Sequence, residues 1–259
     1  MKVIDFHVHP YLTKQEYLGM YQEVFYIDRM KAKEDLQDAF ITKICGSVIE
    51  KEGFMKGAGF EHIKMLNRKA LELKKIYGDF YIPGFHVHPD FVKESCDEIE
   101  FMSKNGIRLI GELVPYMHGW KDYANQNFSE ILDVAEQYGM IINYHTVNEE
   151  HENMEKMIAQ HPNLTFVAAH PGQKGDFLHH IERMKQYENA YLDLSGTGLF
   201  RYGILAYGVE KVGYERFLFG TDYPICNPRM YVQAVLQEHI SEEAKEAIFY
   251  RNAERILGL

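Results

Sequence analysis

Eight short β-rich runs punctuate the 259 residues, each bounded by turn residues and followed by a segment with helical spacing. They read as Val3 to His9, Lys43 to Ile49, Tyr81 to His88, Ile107 to Val114, Met140 to His145, Leu164 to His170, Ala190 to Ser195 and Phe217 to Asp222. Between them, apolar residues recur three or four apart, as in Ile63, Leu66, Ala70, Leu73, Tyr77 and in Phe128, Ile131, Ala135, Tyr138. Each such stretch is a helix with one stripe to bury. Strand and helix alternating eight times calls for a parallel sheet covered by helices, and eight units close. The expected fold is therefore α/β, a single (β/α)8 TIM-type barrel over residues 1–259, with its site at the C-terminal face. An open doubly wound sheet is the competing architecture. It would carry a Gly-rich phosphate turn after the first strand, where this chain has His7-Val8-His9-Pro10. Glu50 to Phe60, with Gly53, Gly57 and Gly59, reads as a flexible excursion that could serve as a lid.

Charge and composition narrow the partners. Lys and Arg number 28 against 38 Asp and Glu, a net charge of -10 that repels nucleic-acid backbones and anionic lipid. Cys45, Cys96 and Cys226 form no paired motif, so neither a disulfide framework nor a thiolate zinc site is indicated. With no apolar run of membrane-spanning length, the expectation is a cytoplasmic protein acting on a small molecule, without nucleic acid or membrane as partner. A homodimer stays open.

Residues two apart on a strand share a face, which puts Asp5, His7 and His9 in phase. His145 ends the fifth run, in phase with Asn143 and Ile141. His170 ends the sixth, in phase with Ala168 and Phe166, and Asp222 ends the eighth, which neighbours the first in a closed barrel. Three imidazoles and a carboxylate from strands 1, 5 and 8 can thus surround a divalent ion, with His170 facing its open side. A His-Xaa-His pair alone is often only a polar strand end; the convergence of four such residues at strand ends is more specific, because burying them without an ion is costly.

These motifs resemble the amidohydrolase superfamily, in particular the amidohydrolase-related group that includes aminocarboxymuconate-semialdehyde decarboxylase. The resemblance runs the whole length, through Ile4 to His9, Gly111-Glu112-Leu113, His145, Ala169-His170-Pro171-Gly172, Gly220 to Pro224 and Asn252 to Leu257. It implies that His7, His9, His145 and Asp222 bind zinc or another divalent ion, one per chain, and that His170 is catalytic or ligates a second ion. Glu112 divides the subtypes, for binuclear relatives place a bridging carboxylate at the end of strand 4. If it bridges, His145 and His170 serve the second ion while His7, His9 and Asp222 hold the first. Otherwise Glu112 supports a ligand or pairs with Arg108.

The chemistry expected is hydrolysis of an amide, lactone or ester carbonyl by an activated water, with Asp222 as the proton acceptor and His170 stabilising the oxyanion. Non-oxidative decarboxylation by the same set is the alternative, and a non-catalytic metal-binding scaffold is a third. A nuclease like the TatD enzymes is conceivable through Glu112, but the acidic charge opposes it. His86 and His88 read as substrate contacts or as strand-end polarity. Tyr116 and Trp120, with Tyr11, Phe200 and Tyr223, are expected to wall the pocket. Arg201 could clamp a substrate carboxylate or simply be a solvated arginine. His62, His118, His151, His161, His179, His180 and His239 are expected to be solvated, and Cys226 to pack.

Overall fold

The computed structural model describes residues 1–21, 26–50, 59–148 and 150–259. Its strands are β1 (Val3–Asp5), β2 (Ile41–Gly46), β3 (Tyr81–Phe85), β4 (Leu109–Leu113), β5 (Ile141–His145), β6 (Thr165–Ala169), β7 (Ala190–Asp193) and β8 (Phe217–Leu218). Its helices are α1 (Lys14–Tyr21), α2 (Arg29–Asp38), α3 (Phe60–Tyr77), α4 (Val92–Lys104), α5 (Pro115–His118) and α6 (Gln126–Gln137). They continue with α7 (His151–Gln160), α8 (Lys174–Gln186), α9 (Ile204–Val212), α10 (Pro228–Leu236), α11 (Glu242–Glu246) and α12 (Asn252–Leu257). The excursion at Glu50 to Phe60 lies mostly outside the described residues.

Every neighbouring strand pair from β1 to β8 is parallel, in chain order. Beyond β8 the chain returns to β1: Phe6 N bonds Phe219 O at 2.8 Å, Asp222 N bonds His7 O at 2.8 Å and Val8 bridges Tyr223. The eight units therefore form a nearly closed barrel, as the periodicity predicts. The helical stripes behave likewise, with Ile63, Leu66, Ala70, Leu73 and Tyr77 of α3 all buried, and Phe128, Ile131 and Ala135 of α6 with them. Each large apolar residue so placed contributes about 1.5–3 kcal/mol.

Inside the barrel, Ile4, Phe6, Cys45, Leu109, Ile141, Val167 and Leu218 form one cluster against Ala253 of α12. Side-by-side registers, such as Leu109 with Ile141 and Asn143 with Val167, confirm that these residues share the inner face. Where that face reaches the carboxyl ends of the strands it turns polar, carrying Asn143, His145 and Asp193.

Candidate metal centre

Regular alternation carries only part of the site inward. His145 follows Ile141 and Asn143 as the inner-face rule requires. His7 does not follow from Ile4 and Phe6, which already face inward. The phase changes just there: Phe6 N bonds across to Phe219 O beside β8, whereas Val8 N bonds Cys45 O of β2 at 3.0 Å. That switch turns His7 and His9 inward and leaves Val8 in the outer core. Asp5 is thus not their in-phase partner; it accepts from Thr221 N at 3.0 Å and from Thr221 Oγ1 at 2.6 Å, tying β1 to the chain after β8.

Glu112 and His170 also need a break. The β4–β5 register slips between Ile110 and Leu113, re-aiming Glu112. Its neighbour Gly111, at φ 107°, has no room for a side chain, since a Cβ would stand 1.9 Å from Asn143 O. His170 was expected in phase with Ala168 and Phe166, but those two pack in the outer core and Val167 faces in. A left-handed φ of 69° just past β6 swings His170 back, and Asp222 shares that value. Non-glycine residues in this conformation are uncommon and gather at functional sites.

The side chains meet in two overlapping trios, His7, His9 and Asp222, and His7, Glu112 and His170. In the first, His7 Nε2 and His9 Nε2 are 3.2 Å apart and Asp222 Oδ1 lies 3.6 and 3.3 Å from them. Glu112 spans the pair of trios. Its Oε2 is 3.3 Å from both His7 Nε2 and His9 Nε2, while Oε1 is 3.3 Å from His170 Nε2 and 2.7 Å from His145 Nδ1. His145 accordingly stands beyond Glu112, against the His170 ring at 4.9 Å, and not within the first trio. Arg108 takes no part; it donates to Leu257 O at the other end of β4.

A second layer fixes three of the rings. His7 Nδ1 faces Asp193 Oδ2 at 3.0 Å, His9 Nδ1 faces Ser47 O at 3.2 Å and His170 Nδ1 faces Ser195 Oγ at 2.9 Å. Each Nδ1 being occupied, each Nε2 is presented to the centre, the arrangement that orients metal-binding histidines. Ser195 in turn donates to Asp193, and Asn143 Nδ2 donates to Asp193 at 3.0 Å. Asp193 and Ser195 were not singled out from sequence, although they repeat at β7 the two-apart polar spacing of His7 and His9. Gly196 lies against this layer: a Cβ there would meet His170 Nδ1 at 2.4 Å.

Electrostatics and satisfaction both fit a cation. Burial would lower His7, but Asp193 and Glu112 hold it well above the ordinary imidazole range. Burial likewise opposes His9, yet the facing Asp222 and Glu112 carboxylates push it up to about 9. Burial would raise Glu112, and the His7 and His145 charges hold it well below the usual carboxylate range. Among the described residues Asp222 Oδ1 is buried with no hydrogen-bond partner, facing two imidazole nitrogens. An orphaned carboxylate oxygen among converging Nε2 atoms is costly unless a cation completes the set. The residues present therefore fit a divalent ion.

The outlying residues divide. His86 donates from Nε2 to Val48 O at 2.8 Å, and His88 from Nε2 to His118 O at 2.9 Å while its Nδ1 accepts from Asp90 N. These rings are buried and bonded to backbone. Trp120 packs in the core against Tyr123 and Phe128, away from the pocket wall expected of it, and Tyr11 and Tyr223 are buried too. Tyr116 and Phe200 are exposed, Tyr116 with its ring 5.4 Å from His145. Arg201 bonds Gln173 and Gly172 O beside the mouth. Contrary to the expectation of solvated rings, His62, His118, His161 and His180 are buried, whereas His179 and His239 are exposed.

A parallel eightfold barrel with converging imidazoles and carboxylates at its carboxyl face defines the class of the metal-dependent amidohydrolases. The chain belongs to the amidohydrolase family, whose model matches residues 4–259. Among solved structures it is similar to 2,6-dihydroxybenzoate decarboxylase from Rhizobium, at 14% identity and TM-score 0.78, covering 100% of this chain and 99% of that one. It is also similar to an uncharacterized TIM-barrel protein from Bordetella bronchiseptica, at 20% identity and TM-score 0.79 with coverage of 100% and 99%. A third is 5-carboxyvanillate decarboxylase from Novosphingobium aromaticivorans, solved with bound manganese, at 14% identity and TM-score 0.77 with coverage of 100% and 97%. No curated protein matches the sequence.

Proposed function

We propose that the protein is a metal-dependent non-oxidative decarboxylase of a small carboxylic acid, in place of the hydrolase expected from sequence. The observation that carries metal dependence is the unpartnered Asp222 Oδ1 opposite His7 and His9. The choice of reaction is supported by the Rhizobium and Novosphingobium decarboxylases, which share the barrel over its full length.

His7, His9 and Asp222 would hold the ion, with Glu112 shared between them and His170. When bound, a divalent ion supplies Lewis-acid polarisation of a substrate oxygen and charge balance for Asp222 and Glu112. The chain's own part is then proton supply. Burial opposes the charged form of His170, but its hydrogen bond to Glu112 raises its pKa, so a proton is held at Nε2. Ser195 keeps the ring in place through Nδ1. Loss of carbon dioxide leaves an electron pair on the substrate carbon, and the His170 Nε2 proton goes to that carbon. Tyr116, beside His145 at the mouth, offers an aromatic face for substrate. Hydrolysis is the second reading, favoured by the Asp222 carboxylate at the centre, which beside the ion would accept a proton from water.

The test loads the protein with manganese or with zinc and supplies aromatic and unsaturated carboxylic acids beside lactones, esters and amides. Release of carbon dioxide, lost in Asp222→Asn and His170→Asn, is expected. Release of acid or amine without carbon dioxide would establish hydrolysis instead, and an ion-filled protein turning over nothing would support the scaffold.

A further inference from the structure

Among the described residues Arg183 of α8 is the largest side chain withdrawn from solvent, and its one ion-pair contact is Glu155 Oε1 at 4.0 Å. A guanidinium buried without a close carboxylate is expensive, so its hydrogen bonds must repay it. They go to two imidazoles. NH1 donates to His180 Nδ1 at 3.0 Å and NH2 donates to His151 Nδ1 at 3.1 Å. A guanidinium only donates, so both Nδ1 atoms are acceptors and both rings carry their hydrogen on Nε2. Burial, then the adjacent Arg183 charge, keeps His180 well below the ordinary imidazole range, consistent with a neutral ring.

Both Nε2 hydrogens lead back to the segment that carries His170. His180 Nε2 lies 3.3 Å from Thr146 Oγ1, and the His170 backbone stands close to the same ring. The Thr146 hydroxyl is already spent on Ala169 O at 2.6 Å, so its oxygen can only accept from His180. On the other arm His151 Nε2 faces Asp176 Oδ1 at 3.5 Å, and Asp176 Oδ2 accepts from Gln173 N at 2.9 Å at the start of α8. Between these two anchors the backbone takes its left-handed turn at His170. Such a turn persists only where its surroundings over-determine it.

We propose that Arg183 is a positioning residue for His170, setting the tautomers of His180 and His151 so that their Nε2–H groups clamp the turn that aims His170 at the centre. It rests on the reading of His170 as the group facing substrate. Imidazole nitrogen spectra of the whole, metal-free protein labelled at histidine test it without any substrate. In the native protein His180 should show a single Nε2–H form. In Arg183→Met that form should be lost and the His170 resonances should move, while those of the exposed His239 stay put. His180→Gln, whose amide both accepts and donates, should keep the native His170 resonances, and His180→Leu should shift them; this pair serves even if Arg183→Met does not fold. His180 unchanged in Arg183→Met, or His170 unmoved in His180→Leu, would overturn the clamp. With a substrate from the panel, kcat should fall on the order of 10- to 100-fold in His180→Leu with KM held. Moved resonances with full turnover would leave the clamp standing and remove His170 from the chemistry.

Discussion

Asp193 accepts from Nδ1 of His7, and its carboxylate is itself satisfied by Asn143 and Ser195. Burial would raise it, but the charge on His7 and their hydrogen bond hold it below the usual carboxylate range. An anionic partner on Nδ1 makes Nε2 a better donor to an ion. Asp193→Asn should weaken divalent-ion affinity roughly 10- to 100-fold without unfolding the chain, measured by titration calorimetry with manganese. Unchanged affinity would mean that Asp193 only packs. Glu112 poses a question of number, because its two oxygens face different sets of imidazoles. If it bridges, metal analysis should find two ions per native chain and one or none in Glu112→Ala. One ion in both proteins would restrict Glu112 to supporting a single site. Asp222, His7 and His9 were legible in sequence because polar residues at strand ends stand out against apolar runs. Asp193 was overlooked although the same spacing marks it.

At the scale of elements, the inner face of each strand is predictable until the last residue or two, where the alternation breaks. β4 shows the cost. Gly111 lies so close to β5 that Asn143 O occupies the place of a Cβ, and its φ of 107° disfavours any other residue. Gly111→Ala should destabilise the fold by about 2–5 kcal/mol, from overpacking plus backbone strain. Denaturant unfolding would register this as a lowered midpoint at unchanged slope. A midpoint within error of the native protein would show that β4 can relax away from β5. Helices were more legible than strand ends. Their stripes depend on a period sustained over three or more turns, whereas a bulge is set by one residue and its neighbours in another strand.

Across the whole molecule, several histidines are buried in neutral form, which ties stability to pH. Burial pulls His86 down to about 4, opposed by its bond to Val48 O, and burial also holds His118 and His180 well below the ordinary value. Above pH 6.5 His86 is neutral both folded and unfolded. Between 6.5 and about 4 the unfolded chain takes up the proton while the folded one does not, so stability falls as the pH falls. His86 alone contributes a loss of roughly 3 kcal/mol across that window, with none added below it. Asp5, pushed up to about 7 by burial, acts in the opposite sense, so the His86 decline is read from pH 6.5 to 5 by comparing unfolding of the metal-free native protein with that of a His86 variant. His86→Gln, which keeps a donor for Val48 O, should flatten it; an equally steep decline would place its origin elsewhere.

By itself the sequence determined the eight strand–helix units, their closure into a barrel and the polar residues that end the strands, because periodicity and strand-end polarity are local properties of the chain. Only the tertiary structure decided which of those residues meet. His7 turns inward through a change of hydrogen-bonding neighbour, Glu112 through a slipped register and His170 through a left-handed turn. It also decided that His145 stands beyond Glu112 and that Trp120 lies in the core. Each break in alternation is unfavourable to the segment that makes it. Contacts from distant strands and helices stabilise it, and a local pattern carries no record of them.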